Sequence, residues 1–419
     1  MGRRYYSKIP HFSRVRPVLR FRLALVALLL ILFQQQQLYW LYRNALLAKY
    51  SPTDFNGFYR AKELLHKVFR NELNDWHLQE ELLAKQNEWT MLGSGWEGKT
   101  FVFNDSVIKT FVPGRSPFRN CFIDKPGSLI NRWPTEIPAS LLLGRRIKHK
   151  RPRRSVLRSE DNAIESLLPV KTWFMASSDG YSSPEWHLVT ALIHGGDLNM
   201  LAKETRSKQP ENFRKVDALF RPSFNSLLRV LDGLHYDGFC HDDIKPGNIF
   251  VENGTRWILG DLGNVRHVSH PYHSSRLWLH DNHQLPDCRA NDALRALKTY
   301  LQFIRIASND SEAFDEALVE GKEPLSRLLW WTIQDSSTMT AAELRERSAE
   351  VESPQRPPRF YPRLNVGPPA IRYPRFEIFY SRKSIRAHVV EHVLSTRISE
   401  TFARWNAMTW LFGVPISSC

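Results

Sequence analysis

Acidic residues are missing from the first 53 positions of this 419-residue chain. Asp54 is the first carboxylate, whereas Arg3, Arg4, Lys8, Arg14, Arg16, Arg20 and Arg22 all precede the apolar run LALVALLLILF. That is the charge profile of a targeting segment. Long apolar runs are scarce as well. Leu23–Phe33 is 11 residues, shorter than the ~20 that cross a bilayer, unless QQQQLYWLY with its four glutamines is drawn in. A clean transmembrane helix is therefore disfavoured. The preferred reading is a signal anchor with membrane contact through residues 18–42 and interfacial Tyr39, Trp40 and Tyr42. Positive-inside logic then leaves residues 1–22 in the cytosol and carries the rest across. A mitochondrial presequence and a cytoplasmic chain with a buried or interfacial helix are the alternatives. Cysteine is nearly absent too: Cys121, Cys240, Cys288 and Cys419 contain no C-x-x-C pair and are too sparse for a disulfide framework, which leaves the redox compartment open. No internal repeat is present.

What is there suffices for a sizeable folded core. Hydrophobic residues make up 42% of the chain, enough to exclude a disordered protein. A formal charge of +15 favours anionic partners without choosing among nucleotide, anionic lipid, nucleic acid and acidic protein. Residues 54–88 have apolar positions at helical spacing, with Thr53 or Asp54 as a possible N-cap, and read as a linking helix. Strand-like segments dominate from Glu88 to Phe111, and long helical patterns follow Leu198, so a small sheet-rich lobe precedes a helical one. The basic stretch GRRIKHKRPRRSVLR, 144–158, reads by default as a solvated loop. Residues 353–374 are rich in Pro and Arg, and a helical extension follows them. Sequons stand at Asn104, Asn253 and Asn309.

GSGWEGKT, 93–100, fits two phosphate-binding patterns at once. As G-x-x-x-x-G-K-[ST] it would place Lys99 and Thr100 on phosphate and metal; as G-x-G-x-x-G it would be a glycine-rich flap. A glycine turn that binds nothing is the third reading. A Walker loop must run directly into a helix. Here TFVF, an Asn-Asp turn at 104 and 105, and SVIKTFV read instead as a β-hairpin. The flap reading follows, with Lys99 on the surface.

Lys109 in VIKTF resembles the lysine strand of protein kinases. HDDIKPGN at 241–248 is similar to the kinase catalytic loop, and DLG at 261–263 to D-F-G. On these motifs residues 89–350 are identified as resembling the protein kinase superfamily. The resemblance implies an α+β, bilobal fold, ATP with Mg²⁺ or Mn²⁺, and a protein substrate with a Ser or Thr acceptor; nucleic acid is not required. It also implies roles. Gly93, Ser94, Gly95 and Gly98 would cover the nucleotide phosphates, and Lys109 would neutralise two of them while held by Glu136, with Glu160 and Glu165 as runners-up. Thr190 would be the gatekeeper, Ala191 and Leu192 would meet adenine through backbone groups, and Asp197 would reach the ribose. Asp243 would accept the substrate proton, Lys245 steady the transferring phosphate, and Asn248 and Asp261 hold the metal. His241 reads as structural. Asp292 reads either as the anchor of the catalytic loop or as a helix N-cap.

The pattern departs at Asp242, which stands where the family has an arginine that grips an activation-loop phosphate, so the domain is of non-RD type. No A-P-E is recognisable, and Met339 replaces the arginine that would pair with its glutamate. These departures keep open a small-molecule kinase on the same fold and an ATP-binding pseudokinase scaffold. A Walker-type NTPase is the weakest rival. The chain thus divides into a basic head with an apolar segment (1–53), a linking helix (54–88), a kinase domain (89–350) and a linker with a helical extension (351–419).

Overall fold

β-branched and aromatic residues crowd the chain after Thr90, and there it pleats. The computed structural model describes residues 17–55, 76–95, 98–111, 120–122, 131–146, 167–177, 184–208, 211–352 and 382–415. Most of the 54–88 segment, Glu160, Glu165, the basic stretch beyond 146 and the 353–374 arm lie outside them. The long helix α1 (Pro17–Lys49) and the short α2 (Trp76–Ala84) come first. β1 (Thr90–Ser94), β2 (Gly98–Phe103) and β3 (Ser106–Phe111) follow. Then come the paired strands β4 (Asn120–Phe122) and β5 (Asn131–Trp133), helix α3 (Glu136–Arg146), β6 (Val170–Ala176) and β7 (Glu185–Ala191). The main sheet is antiparallel throughout, ordered β1-β2-β3-β7-β6.

Alternation along β3 buries Ser106, Ile108 and Thr110 and turns Lys109 to the other side. One face of the sheet packs Ile108, Phe174 and Val189 against Leu82 of α2. The opposite face packs Phe111, Trp173 and Leu188 against Ile137 and Leu141 of α3. A helix thus covers part of each face of the sheet, while Met91 and Leu92 on β1 stay exposed.

Helices make up the second half. They are α4 (Leu198–Lys208), α5 (Phe213–Tyr236), α6 (Cys288–Ala307), α7 (Ser311–Glu320), α8 (Pro324–Gln334) and α9 (Ala341–Glu352). Asn212 caps α5 by accepting from the Lys215 amide at 3.0 Å. Phe213, Val216, Phe220, Phe224, Leu227, Leu231 and Leu234 recur at helical spacing on its buried face. They meet Leu297, Tyr300, Leu301 and Ile304 of α6, with Phe224 and Tyr300 stacked at 4.3 Å. Leu231→Ala at the centre of this contact would cost about 2–5 kcal/mol. Met339 is 1% exposed in the same core, an apolar side chain in an apolar place. Short strands β8 (Phe239–Cys240), β9 (Ile249–Glu252), β10 (Arg256–Leu259) and β11 (Arg266–His267) lie between α5 and α6. The architecture is α+β.

Two features depart from the sequence reading. The helix does not end where the apolar run does, at Phe33: α1 extends over 33 residues, about 50 Å at 1.5 Å per residue. No Gly or Pro falls between Pro17 and Pro52, so nothing interrupts it at the glutamines. Phe21–Lys49 is long and apolar enough to cross a membrane by length and composition. Its Leu23–Phe33 side chains are exposed, whereas Tyr42, Ala45, Leu46 and Tyr50 are buried against Tyr272, Leu277, Trp278 and the C-terminal helices. Those helices are α10 (Arg382–Leu394), α11 (Thr401–Asn406) and α12 (Thr409–Phe412). Glu400 ties the C-terminal helices to the end of α1, pairing with Lys49 at 2.8 Å and accepting from the Tyr50 hydroxyl. Burial pushes the Glu400 carboxyl up, but Lys49 and Arg404 outweigh it and bring it to about 2.

The second departure is a disulfide. Cys240, the last residue of β8, is bonded to Cys288, the first of α6, 48 residues on. A pair so far apart in sequence leaves no spacing pattern to find.

Candidate active site

Lys109 occupies the middle of β3, opposite Thr100 on β2 and Leu188 on β7, so the sheet fixes its backbone on both sides. Its Nζ lies 2.5 Å from Glu136 Oε2 and 3.1 Å from Asp261 Oδ1. Glu136 opens α3, where a carboxylate also suits the positive end of the helix. Asp261 arrives by a different route. β9 and β10 form a hairpin through a turn at Asn253 (φ 52°) and Gly254, and the Gly260 amide donates to the Asn248 carbonyl at 2.9 Å. This returns Asp261 beside Asn248. Asp261 holds a left-handed φ of 54°, a conformation that costs an L-residue about 1–2 kcal/mol. The Lys109 ammonium keeps its carboxyl below the usual range, against the effect of burial.

Asp243 stands on the loop between β8 and β9. Its Oδ2 accepts from Lys245 Nζ at 2.7 Å and from Asn248 Nδ2 at 3.2 Å. Asn248 Nδ2 also donates to the Asp243 carbonyl at 2.9 Å, so the side-chain oxygen of Asn248 is the atom left to serve a cation. Two neighbours escaped the sequence reading. Asn264 Nδ2 reaches Asp243 at 3.5 Å, and the buried Arg295 Nη2 lies 3.6 Å from its Oδ1. Asn264 is three residues past Asp261, and Arg295 three past Asp292 on the same helix face; that spacing was the available signal.

Asp292 is fully buried and takes the backbone amides of His241 at 2.6 Å and Asp242 at 3.0 Å. It fastens the loop to α6. The N-cap of that helix is Asp287, which accepts from the Arg289 amide at 2.9 Å, so the capping alternative for Asp292 does not apply. His241 is buried with Nε2 3.0 Å from the Gly260 carbonyl, which packs the loop onto the end of β10.

The glycines of the flap differ in what they do. A Cβ on Gly98 would sit 1.7 Å from the Thr110 carbonyl oxygen, so the close approach of β2 to β3 requires glycine there. Gly93 and Gly95 face open space, Ser94 ends β1, and Gly95 donates to the Gly98 carbonyl at 2.8 Å. Lys99 is exposed on β2. At the far edge, Thr190 is buried on β7 opposite Val107. The Ala191 and Leu192 amides are already donated, to the Pro169 and Asp105 carbonyls at 3.2 and 3.0 Å. Asp197 accepts from the Met200 amide at 2.9 Å and from Asn199 Nδ2, and lies beside Gly247 of the loop between β8 and β9.

Asp242 is 2% exposed, with φ at 63°. Its Oδ2 accepts from Arg266 Nη1 and His273 Nε2, both at 2.9 Å. Burial alone would raise its pKa; the His273 and Arg266 charges prevail and bring it to about 2. Burial lowers His273 in turn, but the Asp242 carboxylate reverses the shift and leaves it raised. Three residues earlier, burial and then Arg266 drive His270 down to about 3. The same segment is braced from the end of α1 and the residues after it: Arg266 Nη2 donates to the Lys49 carbonyl at 3.4 Å and Thr53 Oγ1 to the Val265 carbonyl at 3.0 Å.

No protein-family model matches the chain. Over 74 residues, 16% of its length, it is 38% identical to eukaryotic translation initiation factor 2-alpha kinase PK4 of Plasmodium falciparum, and covers 7% of that protein. Over 186 residues, 43% of its length, it is 22% identical to a probable serine/threonine-protein kinase of Dictyostelium discoideum and covers 42% of it. The chain spans less than half the length of these curated relatives. The similarities support a relationship to protein kinases over part of the chain.

Proposed function

We propose that the chain is a bilobal protein kinase that transfers the γ-phosphoryl group of ATP to Ser or Thr hydroxyls of protein substrates. One observation carries this reading: Lys109 meets both Glu136 and Asp261, while Asp243 gathers Lys245 and Asn248 on the loop beside them. Asp243 accepts the proton of the acceptor hydroxyl as its oxygen bonds to the γ-phosphorus and the bond from that phosphorus to the β–γ bridging oxygen breaks, leaving ADP. Lys245 stands ready for the charge on the moving group, and the Arg295 guanidinium lies behind Asp243 at 3.6 Å. Lys109 neutralises the phosphates that remain. The Asp261 carboxylate and the Asn248 side-chain oxygen are hard donors that fit Mg²⁺ or Mn²⁺. When bound, the ion would neutralise phosphate charge and orient the γ-phosphoryl group. Gly93 and Gly95 are exposed, with open space where a side chain would stand, which suits a backbone that approaches phosphate oxygens closely.

Asp242 supports a non-RD domain that is permanently wired. The carboxylate is on the catalytic loop and its partners Arg266 and His273 come from the following segment, so a phosphate added there would meet a negative charge. α1 supports a membrane tether. Exposed Trp40, Trp405, Trp410 and Phe412 gather where it leaves the apolar stretch, and such residues favour the membrane interface.

The test uses the full chain in detergent with labelled ATP, Mg²⁺ and a basic protein, followed by analysis of the phosphorylated amino acids. Label on Ser and Thr is expected. Label on Tyr alone, or none, would refute the acceptor assignment. A small hydroxylated acceptor is a second reading. It is favoured by the segment after Asp261, where short turns at Pro271–Ser274 and Leu277–Asp281 pack against α1 rather than lying open beside the cleft.

A further inference from the structure

We infer that the folded domain lies on the non-cytosolic, oxidising side of a membrane and carries N-linked glycans on Asn104, Asn253 and Asn309. The inference rests on α1 as the membrane tether and is independent of phosphoryl transfer.

The disulfide is the first observation. Cys240 and Cys288 are both at most 1% exposed, and their bond joins the strand before the catalytic loop to the first turn of α6. A structural bond of this kind persists in secreted, luminal and periplasmic compartments, whereas cytosolic thiols are kept reduced. Asp292 fastens the same two elements through the His241 and Asp242 amides, so the bond adds a covalent tie where the fold already needs rigidity.

The second observation is where the sequons fall. Asn104 occupies the turn between β2 and β3 with φ 48°, and Asn253 the turn between β9 and β10. Asn309 immediately precedes Asp310, the N-cap of α7. All three are exposed, and each is followed at the second position by Ser106, Thr255 or Ser311. A glycan has no room inside a strand or on a buried helix face. Here every one is at a surface that can carry it.

Charge sets the direction. Seven Lys and Arg residues without an acid occupy positions 1–22, whereas the other flank of the apolar stretch has Arg43 and Lys49 before Asp54. Both of these are engaged, Arg43 with the Gly413 carbonyl and Lys49 with Glu400. The asymmetry holds the head in the cytosol and passes the rest across. Because Tyr42, Ala45 and Leu46 are buried in the domain, its docked face stands directly against the far side of the membrane.

The experiment expresses the full chain in eukaryotic cells and compares its mass before and after treatment with peptide N-glycosidase. A downward shift is expected. One increment should disappear with each of Asn104→Gln, Asn253→Gln and Asn309→Gln, and the whole shift in the triple variant. Glycans are added as the chain enters the lumen, so the readout survives a variant that folds poorly. Alkylation without reduction, followed by peptide mapping, should recover Cys240 linked to Cys288. A wild-type mass unchanged by glycosidase, with both cysteines alkylated, overturns the inference and leaves the kinase reading standing.

Discussion

Replacing Asp242 by asparagine tests whether the segment after Asp261 is wired by charge. Asparagine is the informative choice because Asp242 has φ at 63°, and asparagine tolerates that left-handed conformation where alanine would not. The substitution therefore removes charge with little backbone strain. It leaves the Arg266 guanidinium, 1% exposed, and the His273 ring buried without their counter-ion. Breaking one side of a buried pair costs about 3–5 kcal/mol. For a domain of this size each kcal/mol lowers Tm by roughly 2 °C, so a drop of roughly 6–10 °C is expected. Arg266→Met should also destabilise. The double variant should lose less than the sum of the two, by about 1–3 kcal/mol, because the orphaned charge is gone. Thermal unfolding of the full chain in detergent reads all four proteins. Additive losses, or an Asp242→Asn midpoint within about 1 °C of wild type, would refute the coupling.

Three further expectations follow from the site and its surroundings. Lys109→Met and Asp261→Asn, the latter chosen because Asp261 also has a left-handed φ of 54°, should each lower kcat for phosphoryl transfer by about 10²–10³, with circular dichroism unchanged, since on the proposed reading each removes charge aimed at the nucleotide. Gly98→Ala should destabilise by about 1–3 kcal/mol through its clash with the Thr110 carbonyl, whereas Gly95→Ala should spare stability and raise the KM for ATP. The pH profile of Tm should slope both ways. His270, brought to about 3, and His187, brought to about 4 by burial, are neutral in the fold; their stabilisation is complete above 6.5 and fades as pH falls from there. His273 is raised, so its contribution is full below 6.5 and is lost as pH climbs through its folded value. His270→Gln should flatten the acid limb and His273→Gln the alkaline one.

The hairpins were legible because short-range chemistry specifies them. An Asn-Asp turn at 104 and 105 and an Asn-Gly turn at 253 and 254 sit between β-branched runs, and the chain reverses at both. What the sequence hid depends on long-range approach. Cys240 and Cys288 meet because β8 abuts the start of α6, and Arg295 reaches Asp243 because Asp292, one turn earlier, already holds that loop. Hydropathy alone also left the extent of α1 undecided at the glutamines. The glutamines at 34–37 break an apolar run but not a helix, and the burial of Tyr42, Leu46 and Tyr50 ties that helix to the segment around Tyr272. A fragment starting at residue 54 would lose Lys49, Tyr50 and Thr53 from this contact, so activity belongs in the full chain.

The central claim is that Asp243 serves as the base in a Mg²⁺-dependent phosphoryl transfer. Single-turnover transfer of labelled phosphate by the full chain, wild type beside Asp243→Asn, reads this with the fewest intervening steps. The account predicts label on the acceptor protein from the wild type and a loss of about 10²–10⁴ in the variant, with nucleotide still raising Tm in both. Equal transfer by the two proteins, or none from a wild type that nucleotide stabilises, would contradict it.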